Sequence, residues 1–287
     1  MLAPISPLWR SPPKDLTSRI ETCIDAARDE RESHASLVFF RADDVAVPGK
    51  RFSKLMELFI RRRTPLSLAV VPAWLSSPRW RHLRGFSQKR SNQWCWHQHG
   101  WRHVNHEPAG KKQEFGPNRT GSQIKRDLVC GRRRLEAIME EDFYPVFTPP
   151  WNRCGLSTLI LLKELGYHAV SRNDGVQPEP PDQLPDFRVN VDLHTRSEQR
   201  PAAGWDGLFE DLKKALISGV CGIMIHHQRM NGVAFEFLEV LMGAFSACRD
   251  LSLVHFKDLV RLGDSKSLKR ITRSTESGFR RNRPAPT

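Results

Sequence analysis

No CxxC pair occurs among the six cysteines, which sit at positions 23, 95, 130, 154, 221 and 248. That excludes a zinc-ribbon pattern and a thioredoxin-like redox pair, and the spacing gives no disulfide framework. Reduced, mostly buried thiols are the expectation for a chain of 287 residues. A long hydrophobic run is also missing. The longest apolar stretch, LSLAVVPAWL at 66–75, is too short to span a bilayer. The opening MLAPISPLWRSPPKDL lacks an apolar core behind a basic start, so no signal peptide is expected and the expected compartment is the cytoplasm. No internal repeat is visible. Acidic residues are in short supply: 32 Asp and Glu against 45 Lys and Arg leave a net charge of +13. Arginine outnumbers lysine 32 to 13. Such a surface favours anionic partners and permits weak contact with a membrane surface, without naming a ligand. The RRR runs at 61–63 and 132–134 read as solvated helix faces, so no nucleic-acid partner is expected.

What is present alternates. Residues 1–14 are Pro-rich and read as loosely attached. A helix is expected to follow, with Ser11 as N-cap, Pro12 at the first position and an apolar face of Leu16, Ile20, Ile24 and Ala27. Buried strands are expected at SLVFFRADD, PLSLAVVPAW, NQWCWHQH, YPVFTPP, YHAVS, FRVNVDLHT, VCGIMIHH and LSLVHF. Amphipathic helices are expected between most of them, at GKRFSKLMELFIRRR, GSQIKRDLVCGRRRLEAIMEE, LSTLILLKELG, GLFEDLKKALISG and VAFEFLEVLMGAF. Seven or so such units argue for an α/β fold with a parallel sheet and fit a (β/α) barrel better than an open sheet, two arrangements that the pattern alone does not separate. Three regions result: an N-terminal extension with a docking helix (1–34), a catalytic barrel (35–263) and a basic, disordered tail (264–287). The tail carries seven Lys/Arg and two acidic residues.

Ligands bind at the C-terminal ends of strands in parallel α/β folds, and four polar groups fall there. Asp43-Asp44 follow LVFFRA. His97, His99 and His103 lie in WCWHQHGWRHVNH, which holds four of eleven histidines. TPPWN follows YPVF, and His226-His227 follow CGIMI. HxxxH places His99 and His103 on one face if the segment turns helical. With a carboxylate from another strand they make a three-ligand site for Zn²⁺ or a similar ion, open for water and substrate. Two adjacent carboxylates ending an apolar strand are costly unless something binds them. One serves as ligand and the other as proton acceptor.

The order FFRADD, HQHGWRH, FTPPWN, GIMIHH resembles the polysaccharide deacetylase superfamily, also called the NodB homology domain, over residues 36–227. HGWRH is similar to its divergent members, with glycine after the first histidine. The resemblance implies a distorted barrel, often of seven strands, and metal-dependent removal of N-acetyl groups from amino sugars. It implies Asp43 as general base and His226 as general acid. Asp44, His99 and His103 would be the ligands of a divalent metal, Zn²⁺ first, with Co²⁺, Mn²⁺, Ni²⁺ or Fe²⁺ as alternatives. Trp151, flanked by Pro150 and Asn152, would help hold the oxyanion. The expected partner is an acetylated amino sugar or a sugar-containing precursor. Two rivals remain: a non-sugar amide hydrolase on the same barrel, and a degenerate, non-catalytic carbohydrate-binding barrel. Two departures stand out. The family's arginine that pairs with the catalytic Asp is here Thr148, leaving Arg41 or Arg153 to supply the charge. The family's Asp/Trp segment has no clear match. SRNDG at 171–175 is one candidate, and VNVDLHT is the other, where Asp192 and His194 lie one pleat apart. His97, His106 and His227 are expected behind the site or on the surface.

Overall fold

The computed structural model describes residues 5–32 and 35–264. In chain order its elements are α1 (Leu16–Glu30), β1 (Ser36–Val45), α2 (Lys50–Arg62), β2 (Leu66–Val70), α3 (Ser77–Ser87), β3 (Trp94–His99), α4 (Gly121–Met139), β4 (Phe143–Thr148), α5 (Leu156–Glu164), β5 (Ala169–Val170), β6 (Val191–Asp192), α6 (Pro201–Ile217), β7 (Val220–Ile225), α7 (Gly232–Ala247), β8 (Leu251–Val254) and α8 (Phe256–Asp264). The strands pair in parallel in the order β5-β4-β3-β2-β1-β7-β6, and β8 pairs with the lower part of β1. The open side between β5 and β7 is bridged by residues 185–193. Phe187 and Val189 donate to the Val170 and Arg172 carbonyls, and Asn190 and Leu193 to those of Gly222 and Met224. The result is the expected α/β distorted barrel.

Period-two alternation sorts each strand into an outer face under the helices and an inner face toward the barrel axis. Outward residues such as Val38, Phe40, Leu66, Leu68, Trp94 and Trp96 join the large core beneath α1, α2, α6 and α7. The inward set is graded. At the bottom it is apolar: Phe39, Cys95 and Val146 pack with Phe256 and Leu259 of α8, which forms the floor. Higher on the same faces come Arg41 and Asp43 on β1, His97 and His99 on β3, and Thr148 on β4, all buried. The polar residues thus gather at the C-terminal ends of the strands. Gly222 on β7 leaves room for this packing, since a Cβ there would lie 2.4 Å from the Phe39 ring.

Three expectations need correction. The first helix begins at Leu16, not after Ser11, which instead ends a short turn at Pro7–Arg10. From Ile5 onward, the part of the Pro-rich start among the described residues is not loosely attached. Trp9 is fully buried against Trp205 and Phe237, its Nε1 donates to the Leu193 carbonyl at 3.0 Å, and Leu8 is buried beside it. Two apolar residues outweigh the prolines around them, because an aromatic side chain contributes so much buried area. Helix α3 had no counterpart in the sequence reading. Ser76 caps it through the Arg79 N–H, while Trp80 and Leu83 are its main apolar anchors. The expected tail, 264–287, lies outside the described residues apart from Asp264 at the end of α8. No described helix is long and apolar enough to cross a membrane.

Candidate metal centre

The Asp43-Asp44 pair is shaped by a bulge. Ala42 pairs with Leu68 and Val45 with Val70, so three steps on β1 match two on β2. Asp44 takes up the extra residue at φ 59°. A bulge re-aims side chains. Neighbours that would point to opposite faces of a regular strand therefore both serve the site. Asp43 turns inward. Arg41, two residues earlier on the same face, holds it with two bonds: Nε to Oδ1 and Nη2 to Oδ2, both 2.8 Å. The guanidinium is fully buried and also donates to Ser171 Oγ at 2.8 Å and Asn152 Oδ1 at 2.6 Å. So Arg41, not Arg153, pairs with Asp43. Thr148 instead places its hydroxyl 2.9 Å from His97 Nε2. Burial pushes the Asp43 carboxyl up, but the charge of Arg41, with His99 and His226, outweighs this and holds it below the ordinary value.

Asp44 meets the two histidines. Its Oδ1 lies 3.2 Å from both His99 Nε2 and His103 Nε2. One donor atom from each residue falls within 4.8 Å of the others. The His99 Nδ1–H donates to the Thr148 carbonyl at 2.9 Å, which aims Nε2 at Asp44 as the nitrogen an ion would take. Burial pulls the ring's pKa down, but the bond to Asp44 and the charges of Asp43 and Asp44 outweigh it and raise it. Two imidazoles and a carboxylate, from the end of β3, the turn after it and the bulge on β1, are a donor set for zinc-like ions. The residues fit such an ion. Burial raises the Asp44 carboxyl, yet its bonds to His103 and His99 prevail and hold it well below the ordinary range.

The HxxxH segment is not helical. Gly100 and His103 both have φ near 60°, and a turn brings His103 back toward His99. The convergence therefore comes from left-handed backbone rather than from helical spacing. Trp151 and Asn152 also have positive φ, 56° and 60°. Four of the seven non-glycine residues with positive φ among those described thus belong to this site. Such strain persists only where surrounding structure over-determines it. The Trp151 ring lies 4.5 Å from that of His103, and Trp74 stands 5.7 Å from the same ring. Pro150 packs against the Gly100 turn, and Asn152 holds Arg41.

His226 directly follows β7, close enough to act electrostatically on both Asp43 and Asp44. Its neighbour His227 faces away, buried against Phe52 at 5.4 Å, and burial pulls its pKa down to about 3. His97 lies inside the barrel beside Phe256 and is likewise pulled down to about 3 by burial. Asp192 and His194 do not share a strand face, because β6 ends at Asp192. Asp192 closes a turn, accepting the backbone N–H groups of His194 and Thr195 at 2.9 Å. His194 lies behind the site, where its Nδ1 accepts the backbone N–H of His226 at 3.1 Å. His106 sits farther along the loop after His103, bonding Gln113 through its backbone.

Sequence reasoning missed four contributors. Trp74 and Ser171 carry no local signal. Gln228 donates to the Asp44 carbonyl at 2.7 Å, and Glu114 binds the backbone of the His turn. Only the Arg41–Asp43 pair could be read directly from the period of a strand.

No family model matches the sequence, and no curated protein sequence matches it. Solved structures do. A Mycobacterium smegmatis protein described as a polysaccharide deacetylase superimposes with a TM-score of 0.61 at 13% identity, over 89% of this chain and 96% of that one. An allantoinase gives 0.58 at 13% identity, over 82% and 93% of the two chains. A CE4-family pseudoenzyme from Bacillus anthracis gives 0.50 at 12% identity, over 79% and 66%. At these identities the likeness is one of architecture, and the protein has the fold of the polysaccharide deacetylases.

Proposed function

We propose that this protein is a metal-dependent hydrolase of C–N bonds that removes an N-acetyl or similar acyl group from an amino sugar or polysaccharide precursor. One observation carries the reading: Asp44, His99 and His103 converge on one point beside an ionised Asp43 held by Arg41. Asp44, His99 and His103 would hold a divalent ion, with Zn²⁺ the first choice, and the chemistry it would supply is Lewis acidity toward an acyl carbonyl and a more acidic water. The chain's own groups supply the remaining chemistry. Asp43 takes a proton from the attacking water. The guanidinium fixes both carboxylate oxygens yet leaves each a lone pair. The water oxygen joins the acyl carbon, the C–N bond breaks, and His226 gives the leaving amine its proton. The Trp151 N–H supports the charge that develops on the acyl oxygen. The Trp151 and Trp74 rings, both packed near His103, suit a small acyl group or the apolar face of a sugar. The positive surface suits a phosphorylated precursor.

A second reading, hydrolysis of a non-sugar amide, is supported by the likeness to an allantoinase. A non-catalytic barrel is the third. Its support is the fold shared with a pseudoenzyme and a His226 Nδ1 that has no carboxylate partner among the described residues. The deciding experiment assays zinc-loaded protein for acetate release from N-acetylated sugars, free, phosphorylated and nucleotide-linked, with non-sugar amides alongside. Zinc-dependent acetate release from a sugar is expected. Turnover of non-sugar amides alone would move the reading to the second. Bound zinc with no turnover of anything would move it to the third.

A further inference from the structure

The loop between β3 and α4 runs from Gly100 to Thr120, far longer than most connections in a compact domain. Its sequence offers no apolar period, yet the structure shows it tied together by polar side chains. Asn105 Oδ1 accepts from the Glu107 and Gln113 N–H groups, and Glu107 accepts from Asn118. Phe115 anchors the loop in the core. Its carbonyl accepts from Gly155 N–H at 2.9 Å and Thr158 Oγ1 at 3.0 Å, just beyond the Trp151 segment. The residue before that anchor is Glu114, which is 1% exposed.

The Glu114 carboxylate points back at the start of its own loop. Oε2 accepts the Trp101 N–H at 3.1 Å and Oε1 the Arg102 N–H at 2.6 Å. Among the described residues no basic side chain bonds to those oxygens. Arg119 donates to the Glu114 backbone carbonyl instead. A buried carboxylate matched only by backbone N–H groups is costly unless those bonds are needed. Both oxygens are used, on two consecutive peptides. A carboxamide cannot reproduce this, since its NH₂ end would face an N–H. Gly100 completes the arrangement. A Cβ there would lie 2.2 Å from Glu114 Oε2 and 2.6 Å from Pro150 Cγ, so only glycine lets the carboxylate and the proline close on the turn. Gln98 holds the other side, with Nε2 donating to the Gly100 carbonyl at 2.9 Å. The next residue in the turn is His103, with φ 60° and its Nε2 3.2 Å from Asp44 Oδ1.

We infer that Glu114 is a positioning residue for the metal centre: its carboxylate sets the Gly100–His103 turn and so fixes where His103 presents Nε2. The inference rests on the metal reading of the site and adds a residue to it. It touches neither substrate nor ion and acts through the backbone of the turn.

The test compares full-length wild type with Glu114→Gln, Glu114→Asp and Glu107→Gln, the last a buried carboxylate of the same loop that does not touch the turn. Zinc affinity is measured by competition with a chelator, and amide exchange at Trp101 and Arg102 by mass spectrometry or NMR. Near-UV circular dichroism checks that each variant is folded at the assay temperature. Glu114→Gln should weaken zinc binding about 10–100-fold and speed exchange at both amides. Glu114→Asp, with two acceptors on a shorter arm, should recover part of both. Glu107→Gln should bind zinc within about threefold of wild type. Wild-type zinc affinity in Glu114→Gln, or an equal loss in Glu107→Gln, overturns the inference. If the wild type binds no divalent ion the metal reading falls, and exchange then decides on its own: unchanged protection of Trp101 and Arg102 in Glu114→Gln overturns the role of Glu114. Should Glu114→Gln fail to fold, Glu114→Asp carries the same comparison, and no change in either readout overturns it.

Discussion

The two halves of the barrel mouth are built differently. On the β1–β3–β4 side every candidate group is partnered. Asp43 is held by Arg41, Asp44 by two histidines, His99 by the Thr148 carbonyl and the His103 turn by Glu114. On the β6–β7 side His194 and His227 are buried, His226 is half-buried, and all three have bare nitrogens. His194 Nε2, His226 Nδ1 and His227 Nδ1 have no protein hydrogen-bond partner among the described residues. The first side has the fixed geometry that a cation needs. The second holds His194 and His227 uncharged by burial and leaves His226 half-buried next to them, where a bound substrate completes its surroundings. The lesson is that ligand geometry and proton delivery are supplied by different parts of one fold, so they should fail separately.

The largest effects should come from separating them. His226→Ala is expected to cost about 10²–10⁴-fold in turnover with zinc still bound, and Asp43→Asn to stop water activation with zinc still bound. His227→Ala should keep turnover, because that ring packs on Phe52 away from the site. An inactive His227→Ala beside an active His226→Ala would reverse the assignment on β7. Steady-state kinetics and metal analysis on the same samples read both quantities.

Next in size is the buried pair on β1. Arg41→Met leaves Asp43 charged and buried without a partner, and should destabilise the protein by about 3–5 kcal/mol in urea unfolding. Adding Thr148→Arg to that variant should recover part of the loss by restoring the charge from β4. No recovery would mean that the bulge on β1 demands an arginine from β1 itself.

A smaller effect sharpens the contrast through pH. His97 and His227 are pulled down to about 3 by burial, and His194 lies well below the ordinary histidine value for the same reason. The unfolded chain therefore binds more protons than the folded one between about pH 3 and 6.5. Stability is complete above that window and falls as pH drops through it, by up to about 1.4 kcal/mol per pH unit for each such histidine. Urea midpoints measured from pH 7.5 to 4.5 should show the decline, and His227→Phe should flatten it. A flat wild-type profile would contradict neutral burial of these rings.

The sequence showed the alternation of elements because apolar period and turn residues are local signals. It also pointed to Asp43, Asp44, His99 and His103, since functional groups at strand ends stand out against apolar runs. Backbone-made features were hidden. The bulge at Asp44, the left-handed turn at Gly100 and His103 and the pairing of Glu114 with two peptides depend on contacts between distant segments. HxxxH suggested a helix because helical spacing is the commoner way to align such residues, and the strained turn reaches the same convergence by another route. Trp9 was missed because a Pro-rich context argues against order until its pocket between Trp205 and Phe237 is seen. The choice of Arg41 over Arg153 was accessible: residues two apart on a strand share a face.

The most direct test of the central claim is the metal content of the full-length protein after zinc exposure and desalting, with Asp44→Asn, His99→Ala and His103→Ala alongside. The account predicts one zinc per wild-type chain and at least about a 100-fold weaker affinity in each variant, since each removes one of three ligands. No stoichiometric zinc or other divalent ion in the wild type, or full retention in the three variants, would contradict it.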